Sequence, residues 1–192
     1  MHLKDFCFKG GRNYVHGTDI VKSFLDYHSK NDLKDFDIKF NGVTFNNLDI
    51  IEGNPVKDGK VNIRCKVDGE SKNYQLVENG QTIECRYEYD ESSIVNHADL
   101  ELDKQAVTLK KSTGFTLCEN FVALNKYLLQ SLFPDEPGKW YFTRLEQSRI
   151  VSNDELISVK LIKNFNFRLT KSDIVINDEV IGSVYFTMVR EK

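Results

Sequence analysis

Leu76-Val77-Glu78-Asn79-Gly80-Gln81-Thr82-Ile83 and Ile174-Val175-Ile176-Asn177-Asp178-Glu179-Val180-Ile181 are the two stretches whose comparison decides the fold. They align under a shift of 98 positions, which brings Val77 onto Val175, Asn79 onto Asn177, Ile83 onto Ile181 and, just beyond, Tyr87 onto Tyr185. Each stretch carries a dipeptide, Asn79-Gly80 or Asn177-Asp178, that suits a two-residue hairpin loop needing positive φ. Chance alone can supply such identities in β-rich sequence. The order of the surrounding elements carries more weight.

That order repeats. A short strand over Leu3–Lys9 leads through a polar loop, Gly10–Gly17, to a helix at about Thr18–Ser29. Ile20, Val21, Phe24 and Leu25 form its apolar stripe, and Thr18 or Asp19 can cap its first turn. Strands follow at Asp37–Phe45 and Val61–Val67, then the hairpin through Asn79-Gly80 ending near Tyr89. Val61, Ile63, Cys65 and Val67 alternate with Asn62, Arg64 and Lys66, the mark of a half-buried strand. The second pass starts with a strand around Leu100–Leu109, a loop over Lys110–Cys118 and a helix from about Glu119 to Leu132. Phe121, Val122, Leu124, Leu128 and Leu129 give that helix its apolar side, and Pro134 and Pro137-Gly138 end it. Strands at Lys139–Leu145 and Ser158–Phe167 precede the hairpin at Asn177-Asp178.

Composition narrows the functional classes. The 192 residues are 40% hydrophobic, 29% charged and 11% aromatic, which fits a globular chain rich in sheet. A net charge of −3 with scattered basic residues gives no electrostatic reason to expect a nucleic-acid partner. The N-terminus lacks the apolar core of a secretory signal, and no apolar run approaches the roughly 20 residues of a membrane span. The four cysteines, Cys7, Cys65, Cys85 and Cys118, contain no CxxC pair, so a metal site is not expected. Cys65 and Cys85 read as small apolar strand residues, and the expectation is a reduced, soluble, cytoplasmic protein.

The order of strand, central helix and wrapping antiparallel sheet, read twice, resembles the hotdog superfamily. It implies an α+β double hotdog of two tandem units, residues 1–95 and 96–192, each a central helix wrapped by an antiparallel sheet. One unit of about 95 residues leaves a sheet edge and a helix flank exposed, and a second copy can cover both. Tyr14-Val15-His16-Gly17-Thr18-Asp19-Ile20 looks like the loop-to-helix junction of hotdog thioesterases and hydroxyacyl-thioester dehydratases. There a glycine lets a thioester carbonyl approach the helix N-terminus. Dehydratases of this kind pair a histidine before the helix with an acid inside it. The in-helix position falls near Lys22 in the first unit and near Leu124 in the second. The resemblance implies an enzyme of dehydratase, isomerase or thioesterase type acting on acyl-carrier-protein or CoA thioesters in fatty-acid or polyketide-like metabolism, without a cofactor, and able to form a homodimer. A non-catalytic acyl-binding or scaffold protein is the alternative.

The two helix-leading loops are unequal. Gly10-Gly11-Arg12-Asn13-Tyr14-Val15-His16-Gly17 brings a histidine, a tyrosine and an arginine together, whereas Lys111-Ser112-Thr113-Gly114-Phe115-Thr116-Leu117-Cys118 offers none of these. One functional pocket on the first loop is therefore expected. In it His16 serves as general acid or base, Tyr14 as hydrogen-bond or proton donor, and the N–H groups of Gly17 and Thr18 polarise the carbonyl. Glu119 or Asn120 reaches in from the second helix to position a water. Arg12 and Asn13 bind the substrate, Arg12 through a phosphate of the pantetheine or CoA arm. Each also admits a plainer reading, a turn for this loop and a backbone hydrogen bond for His16. Trp140 and Arg144, in the densest aromatic run, either belong to a core strand or line an acyl tunnel and its mouth. His28 and His97 read as solvent-facing, and His2 as terminal. No GxSxG, P-loop, GxGxxG or HExxH occurs, which makes serine hydrolases, phosphate-cradling enzymes and zincins poor candidates. Acyl transfer or decarboxylation with Tyr14 at work is a third possibility.

Overall fold

Alternation along Val61–Val67 buries one face of that segment and leaves the other half-exposed or exposed, and the N-terminal sheet is built beside it. The computed structural model describes residues 3, 5–54, 57–151 and 157–190, so His2, Lys4 and Leu156 lie outside the described residues. The chain divides into two compact units, Met1–Asp90 and Glu91–Lys192.

The first unit runs β1 (Phe8–Lys9), α1 (Gly17–Tyr27), β2 (Leu33–Phe40), β3 (Asn46–Glu52), β4 (Val61–Val67), β5 (Glu70–Thr82) and β6 (Arg86–Tyr87). Its antiparallel sheet has the order β3-β5-β4-β2, and β1 and β6 form a separate parallel pair. Ile20, Val21 and Phe24 of α1 are buried together with Phe36, Ile38, Leu48, Val61, Ile63 and Leu76 of the strands. Phe24 stacks on Phe36 at 5.7 Å and meets Tyr74 edge-on at 5.3 Å. His28, expected in solvent, is instead 6% exposed, with its ring against Phe24, Tyr27 and Tyr74. Its backbone N–H caps α1 through the carbonyls of Phe24 and Asp26, which holds the ring against those aromatic neighbours.

The second unit runs α2 (Ser92–Val95), β7 (Ala98–Glu101), a 3-10 turn at Leu102–Lys104, β8 (Ala106–Leu109), α3 (Leu117–Leu132), β9 (Lys139–Arg149), β10 (Ile157–Asn164), β11 (Thr170–Ile176) and β12 (Glu179–Val189). Its antiparallel order is β9-β12-β11-β10-β8-β7. Phe121, Leu124, Leu128 and Leu129 of α3 share the core with Val107, Leu145, Val159, Ile174, Ile181 and Val184. The single strand expected over Leu100–Leu109 is broken, because Gln105 at φ 52° reverses the chain between β7 and β8.

The internal alignment is corrected in one respect. Asn177 and Asp178, at φ 50° and 62°, do turn the β11–β12 hairpin. Asn79-Gly80 turns nothing. It lies inside β5, where three residues of β5 stand between Glu78 and Thr82 opposite the single Asn47 of β3, a bulge that Gly80 accommodates at φ 81°. The true hairpin of the first unit turns at Asp68-Gly69, both at positive φ, with Asp68 accepting from the Asp32 N–H at 2.8 Å and from Asn31 Nδ2 at 2.7 Å. After the helix, the strand next to β2 is β4, whereas the strand next to β9 is β12. The two units therefore differ in strand order.

The expectation of four reduced thiols is also corrected. Cys7 and Cys85 form a disulfide with Cα atoms 4.8 Å apart, and Cys85 lies outside any strand. Cys65 and Cys118 are free and buried. Among the described residues no helix is long and apolar enough to cross a membrane, and no group of three or more His, Cys, Asp or Glu residues is placed to hold a metal ion.

Candidate functional site

The Gly10–Gly17 loop is held by its backbone. Gly10 turns the chain at φ 57°, Arg86 donates through one guanidinium nitrogen to the carbonyl oxygens of Gly10 and Arg12, and Val15 N–H donates to the Thr44 carbonyl at 2.8 Å. His16 then takes an extended conformation as the N-cap of α1, and its carbonyl accepts from the N–H groups of Asp19 and Ile20. Gly17 and Thr18 thus stand in the first turn, where helix N–H groups lack intrahelical acceptors and the helix dipole is positive.

Around this turn the structure assembles a cluster that sequence reasoning did not find. Lys9, at the end of β1, is 0% exposed. Its ammonium donates to Thr18 Oγ1 at 3.1 Å, pairs with Asp19 Oδ1 at 3.3 Å and lies 4.1 Å from the centre of the Tyr89 ring. Tyr87 donates its hydroxyl to the Asp19 carboxylate at 2.8 Å. The His16 ring reaches Thr18 Oγ1 through Nδ1 at 2.8 Å. A buried ammonium is costly unless paired and hydrogen-bonded, and Asp19, Thr18 and the Tyr89 face together compensate this one. A lysine between two glycines and a phenylalanine reads as a solvated strand end. Only contacts up to 80 residues away in sequence reveal otherwise.

The sequence candidates fall into separate groups. His16, Gly17 and Thr18 come together at the helix start. Tyr14 is half-buried and Asn13 exposed. Arg12 donates weakly to the Lys9 carbonyl at 3.5 Å and lies 5.8 Å from the Tyr89 ring centre, on the same side as the lysine. Lys22, at the expected in-helix acid position, forms an exposed pair with Asp26, and the acid in the first turn of α1, Asp19, pairs with Lys9.

Glu119 and Asn120 lie in the second unit and serve its own loop. Glu119 accepts from the N–H and hydroxyl of Thr116 at 2.9 and 2.7 Å, a reciprocal cap of α3. Asn120 accepts from Thr113 Oγ1 at 2.6 Å and donates to the Phe115 carbonyl. Trp140 is half-buried in an aromatic group with Phe133 and Phe167 at 6.4 and 6.2 Å. Arg144 pairs with Glu146 at 2.5 Å and lies over Tyr185. Within the first unit, an open groove of about 550 Å³ beside the disulfide is lined by Phe6, Asn47, Thr82, Ile83 and Cys85 among others.

The architecture has counterparts among solved structures. The tesB protein of Mycobacterium avium subsp. paratuberculosis is 8% identical, with a TM-score of 0.55 over 95% of this chain and 91% of that one. The chain has a hotdog-type fold. An inferred thioesterase from Novosphingobium aromaticivorans (8% identity, TM-score 0.49, 100% and 92% of the chains) and the dehydratase domain of RzxB from Pseudomonas fluorescens (8%, 0.45, 97% and 92%) are similar at greater distance. No protein-family model and no curated protein sequence matches the chain. At such identities the likeness speaks for the fold alone.

Proposed function

We propose that the protein is a double hotdog, two tandem units, that processes acyl thioesters carried on acyl carrier protein or CoA. The observation that carries this reading is His16 at the N-cap of α1, its ring held by Thr18, beside the Gly17 and Thr18 N–H groups at the positive end of a hotdog-type helix. A thioester carbonyl placed there meets N–H donors and the helix dipole, which stabilise the oxyanion formed in hydrolysis or in enolisation. Lys9, paired with Asp19, donates to Thr18 at that turn, and Arg12 offers a guanidinium to a phosphate of the carrier arm.

The reaction is hydrolysis of the thioester or dehydration of a 3-hydroxyacyl group. Incubating the protein with a panel of 3-hydroxyacyl and saturated acyl thioesters, followed by mass spectrometry, tests the reading. Turnover by wild type and its loss in His16→Ala supports it. Wild type and variant equally inert, or equally active, would remove His16 from the chemistry.

A non-catalytic acyl-binding or scaffold role is favoured by one observation. Glu119 and Asn120, the second-unit residues expected to position water, are engaged in capping and bracing their own loop. Binding of acyl thioesters without turnover in the same panel is its signature. As to compartment, the cytoplasmic reading rests on reduced thiols, and the Cys7–Cys85 disulfide weighs against it. Trapping thiols by alkylation in intact cells distinguishes the two settings.

A further inference from the structure

From the arrangement of Lys9, Thr18 and His16 we infer that Thr18 donates its hydroxyl proton to His16 Nδ1, with Lys9 as the group that enforces this direction. The ring proton of neutral His16 is then on Nε2. The inference rests on the reading of His16 as the working residue and deepens it. An imidazole with its proton on Nε2 acts toward the substrate as a hydrogen-bond donor to the carbonyl oxygen, not as the base that removes a proton from the neighbouring carbon. Of the two proposed reactions, it therefore counts against a dehydration begun by His16.

The Lys9 ammonium has donors only. Lys9 Nζ is fully buried and 3.1 Å from Thr18 Oγ1, so it donates to that oxygen. Thr18 is itself 1% exposed, and a hydroxyl shut away from water needs its proton placed on an acceptor. His16 Nδ1 lies 2.8 Å from the same oxygen. If Nδ1 carried a proton, two N–H groups, one formally charged, would converge on Oγ1, and the hydroxyl proton would have to leave for a third acceptor. If Nδ1 is bare, the three groups form one chain, Nζ–H to Oγ1 and Oγ1–H to Nδ1. A charged donor on Oγ1 polarises the O–H bond and strengthens the second link. Asp19 holds Lys9 at 3.3 Å, and Tyr87 holds Asp19, so the source of the polarisation is fixed in place. The Lys9 ammonium and the Thr18 hydroxyl are positioning groups. Neither needs to touch the substrate.

The test is nitrogen-15 NMR of the histidine rings in the full chain, at a pH where imidazoles are neutral, with His16 assigned by loss of its signals in His16→Gln. The expected result is a bare, hydrogen-bonded Nδ1 correlated to a slowly exchanging Thr18 hydroxyl proton. Thr18→Val, which keeps the shape and removes the hydroxyl, should lose that correlation and return Nδ1 to the shift of an unbonded nitrogen. Thr18→Ser should restore the bonded shift, and Lys9→Met should weaken it. A proton found on Nδ1 in the wild type overturns the inference. So does an Nδ1 signal that Thr18→Val leaves unchanged in a folded protein. The measurement uses no substrate. An inert thioester panel with the expected ring state therefore rejects the enzymatic reading and leaves the tautomer standing, whereas an active panel with a proton on Nδ1 does the reverse.

Discussion

Asp19 is the residue on which the buried charge of the first unit depends. Replacing it by Asn takes the Asp19 carboxylate away from the buried Lys9 ammonium, and breaking a buried pair on one side costs roughly 3 to 5 kcal/mol. Asp19→Asn should therefore lower the stability of the first unit by about that much in urea titration. The double variant Lys9→Met/Asp19→Asn should recover part of it. If the single variant is as stable as wild type, the pair is not closed in solution. Cys65 is a free, buried thiol. Burial pushes its thiol up to about 11, and the Glu52 carboxylate adds to the shift. The folded state thus keeps a proton that the unfolded chain releases from about pH 8.5 upward. Stability from this group is present below that pH and is lost as pH rises toward 11. Cys65 should accordingly resist thiol reagents at neutral pH in the native protein and react once the chain is unfolded, as counted by mass after labelling.

Among the elements, β12 shows how tightly the second sheet is drawn. A Cβ added at Gly182 would come within 2.0 Å of the Glu146 carbonyl oxygen across the β9–β12 pairing. Gly182→Ala should cost about 1 to 3 kcal/mol and should weaken amide-exchange protection in β9 and β12 first. Unchanged protection there would show that the strands can separate without penalty. Elements whose burial repeats at a regular period were legible in sequence. These include β4 with Val61, Ile63, Cys65 and Val67 inside, α3 with its stripe, and the hairpin at Asn177-Asp178. Elements decided by long-range partners were not. Asn79-Gly80 has hairpin chemistry but is flanked on both sides by residues of one continuous strand, and its paired strand β3 carries polar residues at Asn46, Asn47 and Asp49 that hide the pattern. At the site, His16, Gly17 and Thr18 were readable because a histidine and glycine before an apolar stripe mark a helix start. Lys9, Tyr87 and Tyr89 were not, since the β1–β6 pair that brings them together joins segments nearly eighty residues apart.

For the whole molecule, the Cys7–Cys85 bond encloses nearly the entire first unit, its two cysteines lying 78 positions apart in sequence. Bonds closing long loops stabilise by roughly 2 to 4 kcal/mol, through loss of freedom in the unfolded chain. Cys7→Ser/Cys85→Ser should show that loss in the unfolding of the first unit and leave the second unit's transition in place. If the variant unfolds like wild type, the bond does not form. The bond also makes residues 7–85 a covalent ring. A protease that nicks the exposed Ser29-Lys30-Asn31 corner opens the ring at one point without separating it into pieces. The clipped protein should migrate at full mass on a denaturing gel and fall into two fragments only when a reductant is added.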